Sequence, residues 1–187
     1  MKSYSIVLKG ITPYMQHRMD DQKLEDWEKS RKKIIERDDI ARGDLVRAEF
    51  HCFRNQAGKC YFPAEHLRQS LINAGAFMKS KVGNARRSMI NIVAAMIDVS
   101  PEEIQMPDYD EIDKRSGVNA NVKGRVIIVR PKWMEWEINC KILVDDDTLT
   151  KETVKDLLIY AGKYVGVGSY RPQHKGRFGR FEVKSIK

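Results

Sequence analysis

Residues Trp136 to Val144 set the first constraint on this chain. Trp136, Ile138, Cys140, Ile142 and Val144 alternate with Glu137, Asn139, Lys141 and Leu143. A period of two puts one apolar set on a single face of a strand. Such a strand belongs in an antiparallel sheet with one face covered and the other open. Asp145-Asp146-Asp147 then turns the chain. Thr150 caps a helix with Glu152 in its first turn, where the helix dipole favours an acid. Val154, Leu157, Leu158, Ala161 and Val165 form the core stripe of that helix.

The same reasoning organises the rest. Tyr4, Ile6 and Leu8 alternate with Ser5, Val7 and Lys9, a strand ended by Gly10-Ile-Thr-Pro13. Asp20 or Asp21 can cap a charged helix running to about residue 43, with Leu24, Trp27, Ile34 and Ile35 as a thin apolar stripe. Leu45–Phe53 and Lys59–Phe62 read as a hairpin around Asn55-Gln-Ala-Gly58. Pro63 opens a helix whose Leu67, Leu71, Ala74, Gly75 and Met78 share a face. The basic stretch 79–87 reads as a loop. Residues 88–99 suit either a buried strand or a short helix. Residues 101–114 are acidic and broken by prolines, so they read as a loop, and 116–123 as a mobile turn or an arm. Residues 125–130 form a β-branched strand, and Phe181 with Val183 marks the last strand.

Without the insertions, expected at 20–62 and 79–123, the order is β (4–9), α (64–78), β (125–130), β (135–144), α (150–164), β (180–185). That predicts one α+β domain over 1–187 with a ferredoxin-like (RRM-like) β-α-β-β-α-β core. Its two helices cover one face of a four-stranded sheet and leave the other open, where RRM-type domains hold RNA.

Charge narrows the partners. Among 187 residues there are 34 Lys+Arg and 26 Asp+Glu, a formal net charge of +8. From Gly162 onward, seven Lys/Arg stand against Glu182 alone. The stretch Tyr164–Phe181 interleaves Gly166, Gly168, Gly176 and Gly179 with Arg171, Lys175, Arg177 and Arg180 and with Tyr170, Phe178 and Phe181. Basic side chains neutralise phosphates and rings stack on bases, the two needs of single-stranded nucleic acid. Glycines let a backbone or a phosphate approach closely. The three cysteines, Cys52, Cys60 and Cys140, lack C-x-x-C spacing; this points to reduced thiols and a cytoplasmic protein. Cys52 and Cys60 could face each other across a hairpin, though small apolar side chains are the plainer reading. No signal peptide precedes the first strand, and no apolar run reaches membrane-spanning length. Hydration and capping account for Asp145–Asp147, so no metal or cofactor is expected.

Several of these segments resemble the RAMP superfamily, the repeat-associated proteins of CRISPR systems. The residues that carry the likeness are Gly10-Ile-Thr-Pro13, Phe62-Pro63-Ala64 leading into Leu67-x-x-x-Leu71, Arg130-Pro131-Lys-Trp133, and Gly166-Val-Gly168…Arg171-Pro172…Gly176-Arg-Phe-Gly-Arg-Phe181. The segment from Phe62 is similar to the start of the first helix in guide-coating backbone subunits, and the ordered set is similar to small phage and prophage RAMP-like proteins. Gln173–Arg177 departs from the pattern as an insertion in the loop.

The resemblance implies a non-enzymatic RNA- or single-strand-binding protein that coats its strand as an oligomer. Gly166, Gly168, Arg171, Lys175, Arg177 and Arg180 would contact the strand from the glycine-rich loop. Lys79, Lys81, Arg86 and Arg87 would do so from the basic stretch, and His17 and Arg18 from the first corner. Tyr170, Phe178 or Trp133 would stack. Arg31-Lys32-Lys33 reads as a solvated helix face. Two alternatives stand beside this reading. Some members are metal-independent endoribonucleases that use a histidine, here His17 with His66 and His174 as rivals. A phage protein could instead bind a partner protein within a host nucleoprotein complex.

Overall fold

The computed structural model describes residues 2–18, 43–82, 85–118, 124–145 and 149–187. The charged helix expected over 20–43, with Arg31-Lys32-Lys33, lies outside the described residues, as do Asp146, Asp147 and most of the turn at 116–123. The chain is α+β. In order the elements are β1 (Lys2–Gly10), β2 (Tyr14–Met15), α1 (Asp44–Phe50), β3 (Tyr61–Pro63), α2 (Ala64–Ala74), β4 (Lys79–Val82), β5 (Ala85–Ser88), α3 (Ile90–Met96), β6 (Ile97–Ser100), β7 (Glu103–Gln105), β8 (Glu111–Val118), β9 (Arg125–Trp133), β10 (Glu137–Val144), α4 (Lys151–Tyr160) and β11 (Phe181–Ile186).

Four antiparallel strands in the order β11-β1-β10-β6 make the central sheet. Ile6 lies opposite Cys140 and Leu8 opposite Ile138, so the alternating apolar sets of β1 and β10 point the same way. They pack with Leu67 and Leu71 of α2 and Val154, Leu157 and Leu158 of α4 in one buried cluster. Full burial contributes roughly 1.5–3 kcal/mol per large apolar side chain. Thr150 caps α4, its Oγ1 accepting from the Thr153 amide at 3.3 Å.

A second sheet, β2-β9-β8, stands beside the first. Tyr14 joins the two. Its ring is wholly buried, with centroids of Phe62, Trp133 and Trp136 at 5.0, 5.5 and 5.5 Å. The indole N–H of Trp136 donates to the Thr12 carbonyl and that of Trp133 to the Pro107 carbonyl, both at 2.8 Å, so neither buried ring leaves an unmet donor.

Four sequence expectations need correction. The strand expected over 125–130 is β9, and its neighbours are β2 and β8. The place beside β10 goes to β6, with Ile97 opposite Val144 and Val99 opposite Ile142. Residues 88–99 are therefore both readings in series, a short helix and then a strand. Residues 101–114 are not a loop. Ile104 is buried opposite Phe62, and β8 extends from Glu111, whose carboxylate meets the Lys132 ammonium at 2.7 Å. The acidic residues hid two strands: Glu103 and Glu111 take outward positions, and Asp113 is buried as a partner of Arg115. Residues 45–53 are largely the helix α1 rather than a hairpin arm, and Leu45 and Val46 are exposed. Apolar content without burial gave a false strand pattern. The turn at 55–58 stands: Asn55 Oδ1 accepts from the amides of Ala57 and Lys59, and Gly58 takes φ 74°. Finally, 79–87 is not an open loop. Its described residues form the β4–β5 hairpin.

Candidate nucleic-acid interface

The open face of the central sheet carries Ser3, Ser5, Val7, Lys9, Glu137, Asn139, Lys141 and Glu182. Among the described residues, no aromatic side chain lies on it. The stacking platform of RRM-type recognition is therefore missing there. Rings and arginines gather instead where β8 and β9 meet the glycine-rich loop.

That loop is laced to the β1–β2 corner. The Ser169 amide donates to Met15 O at 2.9 Å, the Gly179 amide to Pro13 O at 2.8 Å, and the Arg180 amide to Thr12 Oγ1 at 2.9 Å. Across the loop, the Val167 amide donates to Gly179 O and the Phe178 amide to Tyr170 O. These amides face protein carbonyls and hydroxyls, so anion capture falls to side chains. Gly168 has φ 72°, and a Cβ there would collide with Met15 O and the Tyr14 ring. Gly166, with φ 73°, stands against Pro172. Both glycines are packing residues in this geometry.

The loop delivers Tyr170 and Phe178 to β8 and β9. The Arg130 guanidinium carbon lies 5.0 Å from the Tyr170 ring centroid. That of Arg115 lies 5.6 Å from Tyr170 and 4.9 Å from Phe178, and that of Arg177 lies 5.8 Å from Phe178. The result is an alternating ladder, Arg130–Tyr170–Arg115–Phe178–Arg177. Cation–π contacts contribute about 0.5–2 kcal/mol each. Tyr170 takes φ 56°, uncommon for a bulky residue. Among the described residues, one acid serves the ladder: Asp113 accepts from Arg115 Nε at 2.7 and 2.8 Å. Asp113 is also opposite Arg130 across the strand pair, yet its hydrogen bonds go to Arg115.

Arg130 is 5% exposed and its NH1 has no hydrogen-bond partner. Burial pulls its pKa below the usual arginine range, opposed by Tyr170 and Asp113. Its Nε donates to His17 Nδ1 at 3.2 Å, which makes that nitrogen an acceptor and places the His17 proton on Nε2. The His17 ring stacks on His51 at 4.3 Å. His51 Nδ1 lies 2.7 Å from the Arg18 carbonyl, which can only accept, so His51 donates there.

The other expected residues fall as follows. Lys175, Arg177 and Arg180 are exposed on the loop. Arg171 is half-buried and turns inward, with NH1 on Gly168 O and Nε on Gln173 Oε1, both at 3.0 Å. Lys79 and Arg87 are exposed on the hairpin; the side chains of Lys81 and Arg86 lie outside the described part. His66 is set in the core beside Tyr14, while His174 is exposed on the loop. Trp133 is wholly buried, so the expectation that it stacks with a base is corrected. Phe178 is buried as well, beneath Arg115 and Arg177. Sequence reasoning missed Arg115, Asp113 and His51. The first two sit at i and i+2 on β8, a signal masked by reading that stretch as a loop and a turn.

The thiols form a separate feature. Cys52 and Cys60 bring their sulfurs to 3.2 Å, and Cys60 also points at Asp108 at 3.2 Å. Burial pushes all three thiols up, Cys140 to about 12. Among the described residues, no group of three or more His, Cys, Asp or Glu is placed to hold a metal, and no helix is long and apolar enough to cross a membrane.

No protein-family model matches the chain, and comparison with curated proteins finds no match.

Proposed function

We propose that the protein binds single-stranded nucleic acid, RNA or DNA, through the arginine ladder, as a RAMP-type domain. The observation that carries this is the buried Arg130, whose NH1 lacks a partner within a group of three guanidiniums and one carboxylate. An unmet buried donor is costly, and an anion reaching it when Tyr170 moves aside would recover that cost. Guanidiniums match phosphate oxygens bidentately and also lie flat on rings and bases. The ferredoxin-like reading gains support from the strand order β11-β1-β10-β6 with α2 and α4 between its strands. Contacts to phosphate alone carry no sequence preference. The test is fluorescence anisotropy with labelled 30-mers of uridine and of thymidine at rising salt. Binding should weaken steeply with salt and fall at least tenfold in an Arg115/Arg130/Arg177 triple alanine. Salt-independent binding, or a triple variant that binds like the parent, overturns the reading.

A second reading, metal-independent cleavage of RNA, draws on the stacked His17–His51 pair next to Arg130. Cleavage of RNA in EDTA that disappears in His17→Ala is its test. Intact RNA under those conditions removes it.

A further inference from the structure

We infer that Phe77, Tyr160 and Tyr164 form a platform for unpaired nucleobases of the bound strand, an inference that rests on the binding function just proposed. The three rings are near parallel. Phe77 and Tyr164 lie 5.0 Å apart at 30°, Tyr160 and Tyr164 6.0 Å at 22°, and Phe77 and Tyr160 6.2 Å at 15°. Tyr160 is half-buried against the core, but Phe77 is 52% and Tyr164 42% exposed. A group of large rings left in water marks an interaction surface. Rings that share an orientation can accept one more flat ring on their stack.

A cation borders the cluster and two more stand on the hairpin that follows Phe77, which suggests what that flat ring belongs to. Lys163 Nζ lies 5.2 Å from the Tyr164 centroid. Lys79 opens β4 two residues after Phe77, opposite Ser88 at the end of β5, and Arg87 lies one pair further in, opposite Ser80; both cations are exposed. The Met89 amide donates to the carbonyls of Gly75 and Met78 at 3.0 and 3.2 Å, which pins the hairpin base next to Phe77. Rings for bases with ammonium and guanidinium groups for phosphates are the two parts of a single-strand site. The loop that carries part of the ladder also meets the end of α2 that leads to Phe77. Asn73, in the last turn of α2, donates to Gln173 Oε1 at 3.4 Å, and Gln173 belongs to the loop that carries Arg177.

The experiment uses the full chain and the tighter-binding of the uridine and thymidine 30-mers, with its abasic counterpart, which keeps every phosphate and lacks the bases. The parent should prefer the strand with bases by about tenfold or more, since stacking on each base is worth that much. Phe77→Ala/Tyr164→Ala should lose this preference while keeping the salt slope and a normal unfolding midpoint, and Tyr164→Phe should retain it. Equal affinity of the parent for both strands overturns the inference, as does an unchanged preference in the double alanine. In either case the ladder reading survives, provided binding still depends on salt and on Arg115, Arg130 and Arg177. A parent that binds neither strand ends both.

Discussion

Arg130 lies beneath Tyr170, with its guanidinium carbon 5.0 Å from the ring centroid and its NH1 without a partner. The nearest acid across the strand pair, Asp113, is bonded to Arg115 instead. A buried charge in that position costs several kcal/mol of desolvation. The cation–π contact and the bond to His17 return only about 1–3 kcal/mol.

Arg130→Met should therefore leave stability within about 1 kcal/mol of the parent, since an apolar side chain of similar length removes the desolvation cost. Affinity for a labelled 30-mer should nonetheless fall about tenfold. Urea unfolding and anisotropy on the same preparation separate the two effects. A loss of more than about 3 kcal/mol would mean that Arg130 is there to hold the fold.

The arginines of the loop differ in what they do. Arg177 is exposed and lies over Phe178, while Arg171 binds Gly168 O and Gln173. On a single strand each phosphate contact contributes about 0.7 to the slope of log affinity against log salt. Arg177→Ala should lower the slope by about that amount and leave the unfolding midpoint alone. Arg171→Ala should do the reverse, lowering the midpoint with little change in slope. Identical salt slopes for the parent and Arg177→Ala would remove Arg177 from the interface.

How much of this was legible in the sequence depends on whether a signal is local. The β10 alternation, the Thr150 cap and the Leu67/Leu71 stripe each follow from periodicity or from one side chain's reach, and all three are present. The partner of β10 is a long-range choice. Residues 125–130 look like a better strand than 97–100, yet Ile97 and Val99 supply the buried face that β10 requires. The ladder was half visible. Tyr170, Phe178 and Arg177 belong to one basic loop, but Arg115 and Arg130 reach it only because β8 pairs with β9. The glycines left packing and phosphate contact both open, because spacing alone does not reveal whether a protein backbone already fills the gap. At Gly168 one does.

Gly168→Ala follows from that. The residue needs φ 72°, and the added methyl meets Met15 O and the Tyr14 ring. Strain and overpacking together should cost about 2–4 kcal/mol, lowering the midpoint by roughly 5–15 °C for a chain of this size. Differential scanning calorimetry measures it. A midpoint within 2 °C of the parent would show that the loop can move off the β1–β2 corner at little cost.

His66 gives the fold a pH dependence of known sign. The buried Tyr14 hydroxyl keeps its proton, because burial pushes its pKa well up, and it donates to His66 Nδ1 at 2.8 Å. His66 can accept there only as neutral imidazole. Burial, and after it the Arg171 charge, hold its pKa at about 4 against an ordinary value of 6.5. As pH falls the unfolded chain takes up this proton near 6.5 and the folded chain only near 4. Between those values the unfolded state binds more protons, so stability rises with pH there and is lost on acidification. At about 1.4 kcal/mol per unit, the parent should lose about 2–3 kcal/mol more than His66→Gln between pH 7 and pH 4.5. Carboxylates titrating in the same range act on both proteins and cancel in the comparison. Urea unfolding at the two pH values provides the measurement, and equal losses in the two proteins would show that His66 is protonated in the fold without cost.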